Sequence, residues 1–301
     1  MNRVLGGFAG RPAMPEQAVT SRVDTPEFTG ELSEYRAIGD GLAIAPTVSV
    51  VIPAKNEARN LGHVFATIPA WVDEIVLVDG QSADDTVAVA RELFPEVKII
   101  AQEGRGKGDA LRAGFEACEG EIIVMIDADG STDGAEITRF VGALLTGADY
   151  AKGSRFASGG GSDDITATRR LGNSVFITLV NRLFSTRYTD LCYGYNAFWA
   201  RNLPALALDC DGFEIETVIN IRAAKAGLWI QEIPSHERPR VHGKSNLHII
   251  RDGWRIVKVI MRERFLDRKN LRKQRARGSM PEVQAPSLTV GHVAKGYLDR
   301  G

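Results

Sequence analysis

Between residues 48 and 126 the chain alternates short apolar runs with stretches in which apolar residues return every three or four positions. Val48-Ser49-Val50-Val51-Ile52 is a β-branched run that Pro53 ends, and it predicts a first buried strand. Asn56 follows as a helix cap, and Leu61, Val64, Phe65 and Ile68 recur at i, i+3, i+4 and i+7, one face of a helix. Ile75-Val76-Leu77-Val78 predicts a second strand. Ser82-Ala83-Asp84-Asp85 then reads as a capping box for a helix carrying Val87, Ala90 and Leu93. Val97 to Ile100 predicts a third strand, Leu111 and Phe115 mark the next helix, and Ile122 to Ile126 predicts a fourth strand. Strands apolar along their whole length, alternating with helices, specify an α/β fold with a parallel sheet covered on both faces. Right-handed crossovers then place the strands' carboxyl ends on one edge, and ligands bind there, where the strand order reverses.

Polar residues gather at that edge. The first strand runs into Pro53-Ala54-Lys55-Asn56-Glu57, the second into Asp79-Gly80, and the fourth into Asp127-Ala128-Asp129-Gly130. Asp127 and Asp129, two residues apart past a buried strand, form a hard oxygen site suited to Mg²⁺ or Mn²⁺ bridging nucleotide phosphates. The competing role for both is to cap the next helix and shape a turn. Asp79 either accepts from the base or ribose of a nucleotide or is a turn residue before Gly80. Glu57 either faces the ribose beside it or stabilises a helix N-terminus. Gly104-Arg105-Gly106-Lys107-Gly108 is neither GxGxxG nor a P-loop. Lys107 there meets a phosphate or packs near the nucleotide, and a flexible loop leading into the helix at Asp109 is the simpler expectation.

Composition narrows the partners. Among 301 residues, 37 basic against 38 acidic give a net charge of −1, so no global field favours nucleic acid or an acidic membrane. Cys118, Cys192 and Cys210 have neither CxxC nor Cys/His spacing, which points to buried thiols in a reducing cytosol. Met1 to Arg22 lacks an apolar secretory core, and no run approaches the roughly 18 apolar residues of a membrane span. A cytoplasmic protein, at most peripheral to a membrane, is expected. Residues 1–46 read as a flexible extension, 47–267 as one domain and 268–301 as a flexible tail.

Taken in order, Pro53-Ala54-Lys55-Asn56-Glu57, Asp79-Gly80-Gln81-Ser82-Ala83-Asp84, Gly106-Lys107-Gly108-Asp109-Ala110 and Asp127-Ala128-Asp129 resemble family 2 GT-A glycosyltransferases. The likeness is greatest to polyprenyl- or dolichyl-phosphate mannose and glucose synthases, and it covers about residues 47–265. It implies a single GT-A domain with a mixed, mostly parallel sheet. The implied reaction moves a hexose from a UDP- or GDP-sugar, with Mg²⁺ or Mn²⁺, to polyprenyl phosphate with inversion. Pro53, Ala54, Glu57 and Asp79 would hold base and ribose, with Lys107 and Ala128 beside the nucleotide. Asp127 and Asp129 would hold ribose and metal-diphosphate, Asp129 being the stronger metal ligand.

The resemblance extends to later segments. Lys152-Gly153-Ser154-Arg155 is similar to the family's Gly-Ser-Arg and places Arg155 by the sugar or acceptor phosphate. Residues 156–168 would form a mobile loop over the acceptor. Glu237-Arg238-Pro239-Arg240-Val241-His242-Gly243-Lys244-Ser245-Asn246 resembles the family's late Arg-x-x-Gly-x-Ser segment. Arg240 and Lys244 would then close on the diphosphate. His242 falls within reach of a metal, although a packing role is the favoured expectation for it. Glu214 and Glu216 lie two apart and face different ways on a helix, so at most one enters the site. Glu216 fits the family position, as a base for a hydroxyl acceptor or as an orienting group for a phosphate that needs none. Residues 254–265 mix apolar and basic side chains, which suits either a membrane surface or a packing helix. A soluble acceptor such as a glycan precursor, a phosphoglycerate-like acid or a natural product remains open, as do a retaining outcome and a non-catalytic nucleotide-sugar binding protein.

Overall fold

In the computed structural model, which describes residues 45–243 and 248–276, the apolar runs form the centre of one sheet. Strands β1 (Val48–Ala54), β2 (Glu74–Asp79), β3 (Lys98–Ala101) and β4 (Ile122–Met125) pair in parallel in the order β3-β2-β1-β4. Helices α1 (Ala58–Phe65), α2 (Thr86–Leu93) and α3 (Lys107–Ala117) connect them. The order reverses between β1 and β4, and this is the switch point of the sheet.

The second half of the chain completes the sheet with β5 (Tyr150–Ser154), β7 (Asn196–Trp199) and β8 (Ile230–Pro234), giving the order β3-β2-β1-β4-β7-β5-β8. β7 is antiparallel to both β4 and β5, whereas β5 and β8 are parallel. The start of β7 and the ends of β1, β2, β4, β5 and β8 therefore share one edge. The two-residue strands β6 (Gly161–Ser162) and β9 (His236–Glu237) form a separate parallel ladder. Helices α4 (Ile137–Leu145), α5 (Ala167–Phe184), α6 (Leu203–Leu206), α7 (Ile215–Lys225) and α8 (Ile249–Ala276) complete the fold. This is the GT-A fold expected from the motifs, a mixed and mostly parallel sheet flanked by helices.

Local details depart from the sequence expectation for identifiable reasons. Pro53 does not end β1, and its register partner is Val78. Pairing with β4 stops at Val51↔Met125, so Pro53 lies where the strand has one neighbour instead of two, a place a proline tolerates. Neither Asn56 nor Ser82 caps its own helix; the loops after the adjacent strands β1 and β2 cap each other. Asn56, at φ 58°, accepts from the Ala83 amide at 2.7 Å, and its own amide donates to Ser82 Oγ at 2.9 Å. Asp84 Oδ2 accepts from Ala58 N at 3.2 Å, and Thr86 Oγ1 from Glu57 N at 2.9 Å. α8 runs on to Ala276, past the boundary expected at 267. The extension read over residues 1–46 lies outside the described residues up to 44.

Close packing fixes α3 against the sheet. A Cβ at Gly114 would stand 2.5 Å from Val51 Cγ1 and 2.9 Å from Val78 Cγ2, both on buried strands. Gly114→Ala ordinarily favours a helix by about 1 kcal/mol. Here it is expected to destabilise the protein by about 1–3 kcal/mol through overpacking, read as a lower urea midpoint. A midpoint equal to or above the parent's would contradict this packing.

Candidate active site

The shared edge opens on a cavity of about 1000 Å³. Its wall includes Pro53, Ala54 and Glu57 after β1, Asp127, Ala128 and Asp129 after β4, Lys107 at the start of α3, Arg155 after β5, and Glu216 and Arg240. Two cations organise the carboxylates. Lys107 Nζ lies 2.5 Å from Asp127 Oδ1 and 2.7 Å from Glu216 Oε1. Arg240 reaches Glu57 at 2.9 Å and Asp129 at 2.8 Å, and Asp129 also accepts from the Ser131 amide at 2.9 Å. Burial alone would pull the Lys107 pKa down, but Asp127 and Glu216 outweigh it and hold it well above the ordinary lysine value. Burial pushes the Glu57 carboxyl up, against the opposing bonds from Asn60 and Arg240.

Sequence neighbours set these positions. Lys107 is the first residue of α3 rather than part of a flexible loop. Its flanking glycines admit the backbone of the 210–211 segment: a Cβ at Gly106 would meet Asp211 O and one at Gly108 would meet Cys210 O, while Gly108 N donates to Asp211 O at 2.8 Å. The glycines thus serve a packing seam and deliver Lys107 to the cavity floor. Gly194 has a related constraint, since a Cβ there would stand 2.7 Å from Lys107 Nζ, 2.9 Å from Asp127 Oδ2 and 3.0 Å from Glu216 Oε1. Of the two candidate glutamates, Glu216 enters the cavity. Glu214 turns back to accept from Gly212 N at 3.3 Å.

The other residues proposed from sequence fall differently. Asp79 is not on the cavity wall; its carboxylate accepts from the Ser82 amide at 3.3 Å, the turn role. Lys244 lies outside the described residues. His242 stands beside His63, 6.2 Å between ring centroids, and is also off the wall. Arg155 lines the cavity, but its guanidinium is engaged from behind. Nε and Nη2 donate to Asp190 at 2.7 and 3.0 Å, Nη1 to Glu237 at 3.0 Å, and Nη2 also to Cys192 O at 3.0 Å. Arg155 is thus a buried arginine on the cavity wall whose guanidinium is held by two carboxylates and a carbonyl. Nothing periodic in the sequence marks Asp190 or Gly194, and the resemblance of the 237–246 segment assigns Glu237 no role.

Among the described residues no group of three or more His, Cys, Asp or Glu converges as a metal cage. Mg²⁺, however, takes one or two protein carboxylates and completes its shell with water and substrate phosphates. Asp127 and Asp129 supply that kind of set. The two clusters place four carboxylates against two cations, a formal excess of negative charge that suits a divalent ion shared with a diphosphate.

The model of glycosyl transferase family 2 matches residues 49–204. Glycosyltransferase AglJ of Haloferax volcanii is 32% identical over 216 residues, covering 68% of this chain and 68% of that protein. A dolichyl-phosphate hexose transferase of the same organism is 29% identical, covering 72% of this chain and 96% of that protein. Among solved structures, glucosyl-3-phosphoglycerate synthase from Mycobacterium tuberculosis, in complex with Mn²⁺, UDP and glucosyl-3-phosphoglycerate, superposes with a TM-score of 0.59. It is 23% identical, with 78% of this chain and 82% of that chain covered, which establishes a common fold.

The Arg155 cluster yields a stability test. Burial alone would raise the Asp190 carboxyl, but its bonds with Arg155, aided by Lys152, hold it below the usual carboxylate range. A depressed pKa contributes stability above the unfolded value of about 3.9 and loses it as pH falls through the folded value. Asp190→Asn is expected to cost about 3–5 kcal/mol at pH 7 by leaving the buried Arg155 with Glu237 as its remaining carboxylate partner. The deficit in urea unfolding should be constant from neutral pH to about 5 and shrink below about 4. A pH-independent deficit would contradict the assignment.

Proposed function

The chain belongs to glycosyl transferase family 2 and is a glycosyltransferase, and on that premise we propose that it moves a hexose from a UDP- or GDP-sugar to a polyprenyl phosphate with inversion. The observation that carries this reading is the single cavity. Its wall includes Glu57, Asp127 and Asp129, and also the apolar Ile165, Leu171, Val175, Phe176 and Ile256, beside polar groups such as Arg169 and Arg251. A cavity lined by carboxylates, arginines and apolar side chains together fits an acceptor with a phosphate head and a hydrocarbon chain.

In this reading Pro53, Ala54 and Glu57 hold base and ribose, and Ala128 lines the nucleotide site between the two aspartates. Mg²⁺ or Mn²⁺ on Asp127 and Asp129 would neutralise charge on the departing diphosphate. Arg240 leaves Asp129 for the diphosphate oxygens, where a guanidinium fork is well matched. A phosphate oxygen of the acceptor attacks the anomeric carbon, the bond from that carbon to the diphosphate breaks, and the nucleoside diphosphate leaves. Glu216 is held 2.7 Å from Lys107. It therefore positions that lysine, consistent with an anionic nucleophile that brings no proton to remove. The relative named as a dolichyl-phosphate hexose transferase supports the choice of acceptor.

Among the described residues no helix is long and apolar enough to cross a membrane. α8 packs through Ile256, Val259, Ile260 and Glu263, and exposes Ile250, Trp254, Met261 and Phe265 along its other face, with Arg255 and Lys258 alongside. That face supports peripheral contact of residues 254–265 with the cytoplasmic side of a membrane, the side where the acceptor head is reached. Purified protein with Mn²⁺ and radiolabelled UDP-glucose or GDP-mannose is expected to put acid-labile label into the organic phase only when polyprenyl phosphate is present. Asp129→Ala should lower that transfer by about a hundredfold or more. Donor turnover with label confined to the aqueous phase would overturn the lipid acceptor and point to a soluble one.

A further inference from the structure

The segment after β8 contacts both the Asp129 turn and the loop that follows Arg155. At the turn, Arg238 N donates to Ser131 O at 2.8 Å and Val241 N to Asp129 O at 3.2 Å, while Arg240 pairs with Glu57 and Asp129. At the loop, β9 pairs with β6. Gly161 N donates to Ser235 O at 3.1 Å and Asp163 N to Glu237 O at 2.9 Å. His236 Nε2 lies 2.8 Å from Asp163 Oδ2.

Glu237 is the point where these contacts meet. It is 8% exposed, and one carboxylate oxygen serves two segments: Oε2 accepts from Arg155 Nη1 at 3.0 Å and from Ser162 Oγ at 2.5 Å. A buried carboxylate is tolerated only when such donors compensate its lost hydration. Ser162 Oγ in turn accepts from Ile165 N at 3.0 Å, which shapes the entry to α5. The loop also has no slack, since a Cβ at Gly160 would lie 2.5 Å from Ser154 O and one at Gly161 would lie 2.5 Å from His236 Nδ1.

We propose that Glu237 is a positioning residue that ties loop 156–165 to the Arg240-bearing segment, so that occupation of the donor site sets the loop. The assignment of the donor site rests on the function proposed above; the tie itself does not. A diphosphate that draws Arg240 off Asp129 pulls on a chain that stands three residues from Glu237 and is held at Ser131 and Asp129. A shift there moves β9, and through Glu237 it moves Ser162 and the face of Arg155.

Amide exchange of the full chain tests this, with and without Mn²⁺ plus UDP or GDP. Without nucleotide, E237A and S162A should speed exchange over residues 156–165 by about three- to tenfold, and E237Q, which keeps an acceptor oxygen, should restore it. With nucleotide, the parent protein should gain protection in both 156–165 and 238–243, whereas E237A gains it only in 238–243. S162A leaves the Arg155 pair intact but also frees Ile165 N, so if E237A folds poorly the deciding arm is whether nucleotide still protects 156–165 in S162A. Unchanged exchange in S162A and E237A, or full loop protection by nucleotide in either variant, would overturn the tie. If the parent binds neither nucleotide, the donor reading fails, and the nucleotide-free arm still judges Glu237.

Discussion

Four carboxylates meet at the edge where the strand order reverses, and Lys107 and Arg240 hold them together. Like charges gathered at a partly dry surface repel one another and lose hydration, so each cation must bridge two of them. Much of the surrounding structure follows from delivering those cations. The glycines at 106 and 108 let α3 start against the 210–211 segment, and Gly194 leaves room for the Nζ atom between its partners. Arg240 comes from the far side of the sheet, on a segment fastened to Ser131 and Asp129 by backbone bonds.

A second charge cluster, Arg155 with Asp190 and Glu237, lies deeper on the same edge. The two clusters differ in what they leave available. Asp127 keeps its carboxylate about a third exposed at the cavity, whereas Asp190 is fully enclosed. The first can exchange a resident cation for an arriving one. The second fixes geometry, because removing any member would leave a buried charge short of a partner.

The half of the fold built from β1 to β4 was legible in sequence because those strands are buried on both faces and apolar throughout. The half that follows was not, because its core is polar in places. β5 is buried along its length yet contains Lys152, Gly153 and Ser154, and α7 buries Glu216, Thr217 and Asn220 among its apolar residues. No periodicity separates such elements from loops. Asp127, Asp129 and Glu57 could be placed because they follow strands that could be read. Asp79 follows one too, yet turns to its own loop, a choice set by the Ser82 amide rather than by any pattern. Arg155 was found by resemblance, but its pairing depends on Asp190 and Glu237, 35 and 82 residues away in sequence.

We propose that the two aspartates hold a metal jointly with a nucleotide diphosphate, displacing the arginine that bridges to Asp129. Titration of Mn²⁺ by electron paramagnetic resonance, with and without UDP or GDP, tests it directly. Mn²⁺ alone should bind weakly, and about tenfold or more tighter with the nucleotide that is the donor's carrier. By reciprocity, that nucleotide should bind correspondingly less well in chelator. Nucleotide affinity unchanged by removal of the metal would contradict it.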